Sequence, residues 1–272
     1  MNYHSEIPLL RCLSSIYRQI DTEYEIILVD NGSDNGGIVH KVIADKKIKY
    51  IKNPENYGFS RAVNKGITMS KYDRVLLVNP DTELQKSAIE KLNTFMSSHK
   101  ASIAGAAMRK VDGGLHDTAV RKPDIWTILF DYTNLRRLVP CDYFHRHHYY
   151  LDIPNRKVPI YVDAVSGACM LIKKDIFNVI GYFDEDYFMY LEDVDFCIRA
   201  KKAGYKIVYY PKPLLVHIGG YSSNNKEKIN IGAWLNSRSH YLDKHFSRII
   251  KSLINPILKV DDMIIKILSK RV

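Results

Sequence analysis

Glu25-Ile26-Ile27-Leu28-Val29-Asp30-Asn31-Gly32-Ser33 is an apolar run of strand length that stops on turn-forming residues. It is apolar on both faces rather than alternating, which is the pattern of a buried parallel strand. Asp30, Asn31 and Gly32 close it, because such residues bond locally and tolerate a tight backbone. The pattern recurs downstream. Residues 74–79 (RVLLVN) form a second buried strand that ends at Pro80-Asp81-Thr82. Residues 48–51 and 101–108 read as further strands, and residues 38–44, 58–69 and 86–97 have helical spacing between them. Upstream, Ser5 can cap a helix that has Pro8 in its first turn and Leu9, Leu10, Leu13, Ile16 and Tyr17 along one face. Strands alternating with helices specify an α/β fold, a doubly wound sheet flanked by helices. Ligands bind such sheets beyond the carboxyl ends of the strands, where Asp30 and Asp81 both stand. The two are expected to face one crevice.

Residues 121–159 break the pattern. They are rich in aromatic and basic residues, hold His145, His147 and His148, and read as a long insertion over the crevice, the three histidines lying in a solvated loop. Residues 160–173 return to strand character, interrupted by Ser166-Gly167-Ala168. A short helix over 175–180, a helix over 194–203 and a strand over 205–210 follow, the last ending before Pro211 and Pro213. The end of the chain differs. Ile249, Ile250, Leu253, Ile254, Ile257 and Leu258 repeat at helical spacing among Lys244, Arg248, Lys251, Lys259 and Lys266, with Pro256 expected to kink the helix. An apolar stripe beside cations suits a helix lying in a membrane interface, and equally one packed on the domain or on a second subunit.

The chain has 272 residues, 46% of them hydrophobic, which is enough for a sizeable core and excludes wholesale disorder. Its 40 Lys and Arg against 30 Asp and Glu give a net charge of +10. That suits an anionic lipid surface, a phosphorylated substrate, nucleic acid, or simply a basic exterior. No base-reading motif accompanies the charge, so nucleic acid is not an expected partner. Cys12, Cys141, Cys169 and Cys197 have no C-x-x-C spacing. They read as reduced core residues of a cytosolic protein rather than zinc ligands. Neither a secretory leader nor an eighteen-residue apolar run is evident.

The densest chemistry is Tyr187-Phe188-Met189-Tyr190-Leu191-Glu192-Asp193-Val194-Asp195. Three carboxylates within four residues repel one another, which raises a pKa or demands a counter-charge. Glu192-Asp193 is the candidate general base, able to take a proton from a hydroxyl. Asp195 is expected to organise the helix start as a cap. A merely solvated acidic helix start is the plainer alternative, and the rings of Phe183, Tyr187, Phe188 and Tyr190 argue against it. Asp30 and Asn31 offer acceptors to a nucleobase or ribose, or form an ordinary turn. Gly58-Phe59 opens a helix carrying Asn64 and Lys65, where free N–H groups favour an anion. Asp81 can hold a hard divalent cation or cap the next helix. His217 can join a metal or diphosphate, or be structural.

In this order the motifs resemble the family 2 glycosyltransferases, especially their rhamnosyltransferase-like branch. The matching pieces are Val29-Asp30-Asn31-Gly32-Ser33, Asn56-Tyr57-Gly58-Phe59 with Asn64-Lys65-Gly66, Val78-Asn79-Pro80-Asp81, Val165-Ser166-Gly167-Ala168, Gly181-Tyr182-Phe183-Asp184-Glu185, Tyr190-Leu191-Glu192-Asp193-Val194-Asp195 and His217. Each is weak alone and strong in sequence. The resemblance covers residues 2–245. It implies a GT-A fold, a nucleoside-diphosphate-sugar donor, a divalent metal (Mg2+ or Mn2+) and an inverting transfer of rhamnose or another hexose to a cell-surface polysaccharide or lipid-linked glycan. It implies Asp193 as base with Glu192 beside it, Asp81 and His217 at the metal, and Asp30 at the nucleoside. Tyr3, Asn31, Gly58, Phe59, Asn64, Asn79 and Gly167 are expected around the donor. Asn-Pro-Asp stands where the family has Asp-x-Asp. Asn2-Tyr3 directly follows Met1, so the family's opening strand is expected to be missing. Its loss would leave neighbouring backbone groups unpaired.

The resulting division is residues 1–240 as the glycosyltransferase domain and 241–272 as a basic helical tail. Within the domain, 1–110 form the nucleotide half, 121–159 the insertion and 160–240 the acceptor half. The tail is expected to place the protein peripherally at the inner face of the cell membrane, or to make a homodimer contact. A nucleotidyltransferase, or a sugar-binding module with impaired catalysis, is the alternative reading.

Overall fold

The computed structural model describes residues 1–19, 23–33, 47–116, 118–138, 142–152, 160–218 and 227–268. The helix expected at 38–44, Cys141 and Gly219-Gly220 lie outside them. The first half runs α1 (Glu6–Tyr17), β1 (Ile26–Asn31), β2 (Ile48–Asn53), α2 (Phe59–Thr68), β3 (Arg74–Val78), β4 (Thr82–Leu84), α3 (Ala88–Ser98), β5 (Ile103–Lys110), β6 (Leu115–His116) and β7 (Ala119–Val120). After it come α4 (Ile125–Phe130), a 3-10 turn (Asn134–Leu138), α5 (Tyr143–His148), β8 (Ala164–Val165), β9 (Cys169–Lys173), α6 (Phe177–Ile180), α7 (Glu192–Lys202), β10 (Ile207–His217), α8 (Glu227–His245) and α9 (Arg248–Leu268).

The larger sheet has the order β3-β9-β5-β10-β4, with β6 on β5, and mixes parallel and antiparallel ladders. β1 and β2 pair in parallel as a separate ribbon. Strand periodicity sorts the core onto two faces. Met170 and Ile172 pack with Val63, Ile67, Phe183 and Phe196 on one side. Cys169 and Leu171 pack with Leu92, Met96 and Val208 on the other. Cys12, Cys169 and Cys197 are free and buried.

Asn2 makes a single parallel bridge to Asp30, its N–H donating to the Val29 carbonyl at 2.7 Å and its carbonyl accepting from Asn31 at 2.8 Å. That bridge is all the described chain places beside β1 where the opening strand was expected to be missing.

Several elements depart from the sequence reading. β10 passes through Pro211 and Pro213, because the ladder to β5 shifts register between Tyr210 and Leu215 and the missing proline donors fall in that irregularity. The expected strand at 160–173 is two strands, split by the Ser166-Gly167-Ala168 turn. The insertion is helical, not a loop. Asp124 caps α4 by accepting from the Thr127 N–H at 2.8 Å, and Ile128, Tyr132 and Tyr150 join the main core. Of its histidines only His148 is buried, on the Tyr132 hydroxyl; His145 and His147 keep 40% of their side-chain surface exposed while pairing with Asp131 and Asp152.

Nor is there a break at residue 241. α8 runs straight through it, Tyr241 and Leu242 are core residues, and Pro256 lies inside a continuous α9. Ile254 and Leu258 on the inner face of α9 are buried, whereas Ile249, Leu253, Ile257, Val260 and Met263 are exposed. No helix among the described residues is long and apolar enough to cross a membrane.

A buried ion pair fastens this terminal helix. Arg238, 1% exposed, donates to Asp261 at 2.6 Å and to the Tyr132 carbonyl at 2.7 Å, and it also pairs with Asp262. Asp261 in turn accepts from the Asn134 N–H at 2.8 Å. Arg238→Ala leaves Asp261 buried without its counter-charge and is expected to lower stability by about 3–5 kcal/mol, measured by urea unfolding. The Arg238→Ala/Asp261→Asn double variant should lose less than the sum of the two single variants.

Candidate active site

The site is built at the carboxyl ends of β1 and β3. Asp30 is fully buried at the end of β1. It accepts from the Tyr50 hydroxyl at 2.9 Å and, more weakly, from Asn2 and the Ser33 N–H, each at 3.4 Å. Tyr3 lies on the same rim, its neighbour His4 donating from the backbone to Ser33 Oγ at 2.8 Å. Asn31 uses both ends of its carboxamide internally. It donates to Asn56 at 2.7 Å and to the Gly58 carbonyl at 3.0 Å, and it accepts from Asn53 at 2.9 Å. Asn64 likewise exchanges hydrogen bonds with the Phe183 backbone, at 2.8 and 3.0 Å. Both asparagines therefore brace the crevice wall rather than offering free groups to a ligand.

Gly58 explains how the two halves meet. Its φ is +83°, and a Cβ there would collide with the Phe188 carbonyl oxygen. With no side chain in the way, the Phe59 N–H donates to that oxygen at 2.6 Å. The Phe59 ring then lies against the Gly167 turn, where an added Cβ would meet Phe59 Cζ at 3.3 Å and Asp193 Cβ at 3.6 Å.

Tyr190 and Leu191, at φ +76° and +66°, both take the left-handed conformation. Each such residue without glycine's freedom costs about 1–2 kcal/mol. The turn they make delivers Glu192 and Asp193 to the first turn of α7. Asp193 accepts the Gly167 N–H at 2.9 Å and the Val194 N–H at 2.8 Å. Burial raises its carboxyl pKa, and the two N–H groups partly offset this. Glu192 is buried and its Oε2 has no hydrogen-bond partner among the described residues. Burial first, and the Asp193 charge second, push its pKa well above the carboxylate range. Two adjacent carboxyls that resist ionising together form a pair suited to holding and accepting a proton.

Asp195 has the opposite environment. It is fully buried, but Arg199 at 2.8 Å, Lys244 at 3.1 Å and His245 at 2.8 Å surround it. These partners outweigh burial and hold its pKa below the usual value. The expected cap is thus an ion cluster tying α7 to α8. Arg199 was detectable as an i,i+4 partner, but Lys244 and His245, about fifty residues on, were not.

Asp81 follows β3. His217, at the end of β10, lies 3.2 Å from its Oδ2, and its buried Oδ1 has no hydrogen-bond partner among the described residues. An orphaned carboxylate oxygen beside an imidazole fits a divalent cation with oxygen and nitrogen ligands. A second grouping, Asp184, Asp186 and His240, fits less well: Asp184 is already paired with Lys244 and His240, and these bonds hold its pKa low against the effect of burial. Backbone bonds connect the segments that carry Asp81 and Asp193. The Asn79 N–H donates to the Ala168 carbonyl at 3.1 Å, and the neighbouring Gly167 bonds Asp193.

The family model described as glycosyl transferase family 2 matches residues 2–181, a span that holds Asp30, Asp81 and Gly167. Among curated proteins the chain is 30% identical over 211 residues to the low-salt glycan biosynthesis hexosyltransferase Agl10 of Haloferax volcanii, covering 76% of this chain and 62% of that protein. It therefore spans less than two thirds of that relative. It is 26% identical over 267 residues to the N-acetylglucosaminyl-diphospho-decaprenol L-rhamnosyltransferase of Mycobacterium tuberculosis, covering 87% of this chain and 80% of that one. Staphylococcus aureus TarS 1-349, solved in complex with UDP-GlcNAc, aligns with a TM-score of 0.56 at 17% identity over 92% of this chain and 67% of that one. The fold is of the GT-A type, and the chain belongs to glycosyl transferase family 2.

Proposed function

We propose that the protein is an inverting glycosyltransferase that moves rhamnose or another hexose from a nucleoside diphosphate to a hydroxyl of a polysaccharide or lipid-linked glycan. The observation that carries this is the half-buried Asp193 carboxylate, held by two N–H groups, with its Gly167 turn bonded through Ala168 to Asn79 just before Asp81. Relatives named as rhamnosyl- and hexosyltransferases support the donor class. Asp193 takes the acceptor proton as the acceptor oxygen forms its bond to the anomeric carbon. The bond from that carbon to the diphosphate oxygen breaks, and its electron pair leaves with the nucleoside diphosphate. The raised pKa values place the base nearer to the operating pH, where it is more effective. Glu192 disfavours a second negative charge beside Asp193 and keeps the proton affinity of the pair high. Asp81 and His217 would hold a divalent metal, which supplies positive charge for the departing diphosphate. Asp30, with Tyr3 nearby, lines the nucleoside end.

The outer face of α9 supports a membrane-bound acceptor. Leu253, Ile257 and Met263 are exposed beside Lys259 and Lys266, an arrangement that fits the headgroup region of an anionic membrane. A lipid-linked acceptor at the cytoplasmic face would be reached from there.

A panel of nucleoside-diphosphate sugars, read out as released nucleoside diphosphate, tests the reaction. Asp193→Asn is expected to cut transfer about a thousandfold. In the wild type the rate should fall on acidification with a limb above the ordinary carboxylate range, because the base must be ionised and burial lifts its pKa. Pyrophosphate release, or an undiminished Asp193→Asn variant, overturns the reading. Asp81→Ala should weaken Mn2+ binding by calorimetry and lower transfer about a hundredfold. For the membrane, Leu253→Ser/Ile257→Ser/Met263→Ser spares the inner face of α9. The wild type should float with anionic vesicles and this variant should not. Equal flotation discards the membrane, and a dimer that dissociates in the variant assigns the face to a second copy.

A further inference from the structure

The left-handed turn at Tyr190 and Leu191 is gripped from a second side. Strained residues other than glycine persist only where their surroundings over-determine them. The Phe59 N–H bond to the Phe188 carbonyl fixes one edge of the turn. Further support comes from α8, a helix that lies beyond the residues matched by the family model. Ser237, 1% exposed, donates from its hydroxyl to the Met189 carbonyl at 2.8 Å, immediately before the strained pair. The Trp234 ring meets the Tyr190 ring edge-on, with 5.9 Å between centroids. His240 lies 3.0 Å from Asp184, where the acidic loop begins. Lys244 bridges Asp184 and Asp195, and His245 reaches the other oxygen of Asp195 at 2.8 Å. At helical spacing these five residues fall on one face of α8, which therefore spans the whole segment 184–195.

The contacts bracket the reactive group. Met189 is held before Asp193 and Asp195 after it. The Asp195 N–H donates to the Leu191 carbonyl at 2.8 Å, so the ion cluster and the turn are joined through the backbone. Asp193 itself accepts only backbone N–H groups among the described residues, those of Gly167 and Val194. Its placement therefore follows the backbone that carries it. A turn tied on both sides cannot relax to ordinary backbone angles without breaking a buried bond, which is costly.

We propose that α8 belongs to the catalytic apparatus, with Ser237, Lys244 and His245 as positioning residues that hold the 189–195 turn and thereby aim the Asp193 carboxylate. The proposal rests on the reading of Asp193 as the base. Contacts that merely fastened α8 to the fold would, when lost, cost stability and not turnover.

The test compares Ser237→Ala, His245→Leu and their double variant with Leu92→Ala, a destabilising change in the core on the other face of the sheet. All are assayed well below the lowest Tm. Each single α8 variant should lower kcat about tenfold and the double variant about a hundredfold, with the donor KM unchanged. Leu92→Ala should lower Tm and leave kcat as it is. His245→Gln, which keeps an N–H donor near the Nε2 position, should restore most of the turnover. Hydrogen exchange of the Gly167 and Val194 amides should quicken about tenfold in the α8 variants and not in Leu92→Ala. Unchanged exchange or unchanged kcat in the double variant overturns the proposal. So does a loss of kcat that Leu92→Ala reproduces at an equal fall in Tm. A wild type that transfers no sugar overturns the donor and acceptor reading instead, and the exchange rates alone then decide whether α8 holds the turn.

Discussion

The contact between Gly58 and Phe188 is the constraint on which the site depends. A side chain at residue 58 would occupy the place of the Phe188 carbonyl, and without one the Phe59 N–H reaches that oxygen at 2.6 Å. This single approach brings the helix after β2 against the loop that carries Tyr190 and Leu191. The Phe59 ring then backs the Gly167 turn, and Gly167 orients Asp193. Removing the first contact would leave each later one without its support.

Charge is handled in two ways within one short helix. Asp195 is surrounded by Arg199, Lys244 and His245 and serves as an anchor. Glu192 and Asp193, on the preceding residues, have backbone N–H groups or nothing. Carboxylates with cationic partners stabilise the fold, whereas those without partners are costly to ionise. The left-handed pair at Tyr190 and Leu191 adds backbone strain at the same place. Strain and desolvation thus meet at one turn.

Local pattern made the strands, the doubly wound class and the acidic rim legible. Residues 26–29 and 75–78 are uninterrupted apolar runs, and the acids that follow them, Asp30 and Asp81, stand where such sheets bind ligands. What was not legible depended on distant partners. The carboxamides of Asn31 and Asn64 looked like ligand groups because their internal acceptors, Gly58 and Phe183, are far along the chain. The insertion at 121–159 looked like a loop because its helices are short and are held by Asp261 and the core rather than by propensity. The prolines of β10 suggested a strand end because the shift in register that accommodates them cannot be seen in one strand alone.

The sheet order also governs how the protein comes into being on the ribosome. β10 lies between β5 and β4, so Val216 pairs both with Arg109 and with Glu83. Neither neighbour can obtain that strand until more than two hundred residues have been synthesised. Through most of translation the nascent sheet therefore presents open hydrogen-bonding edges to solvent. Long-range pairing of this kind closes slowly and leaves strand edges open to aggregation in the meantime.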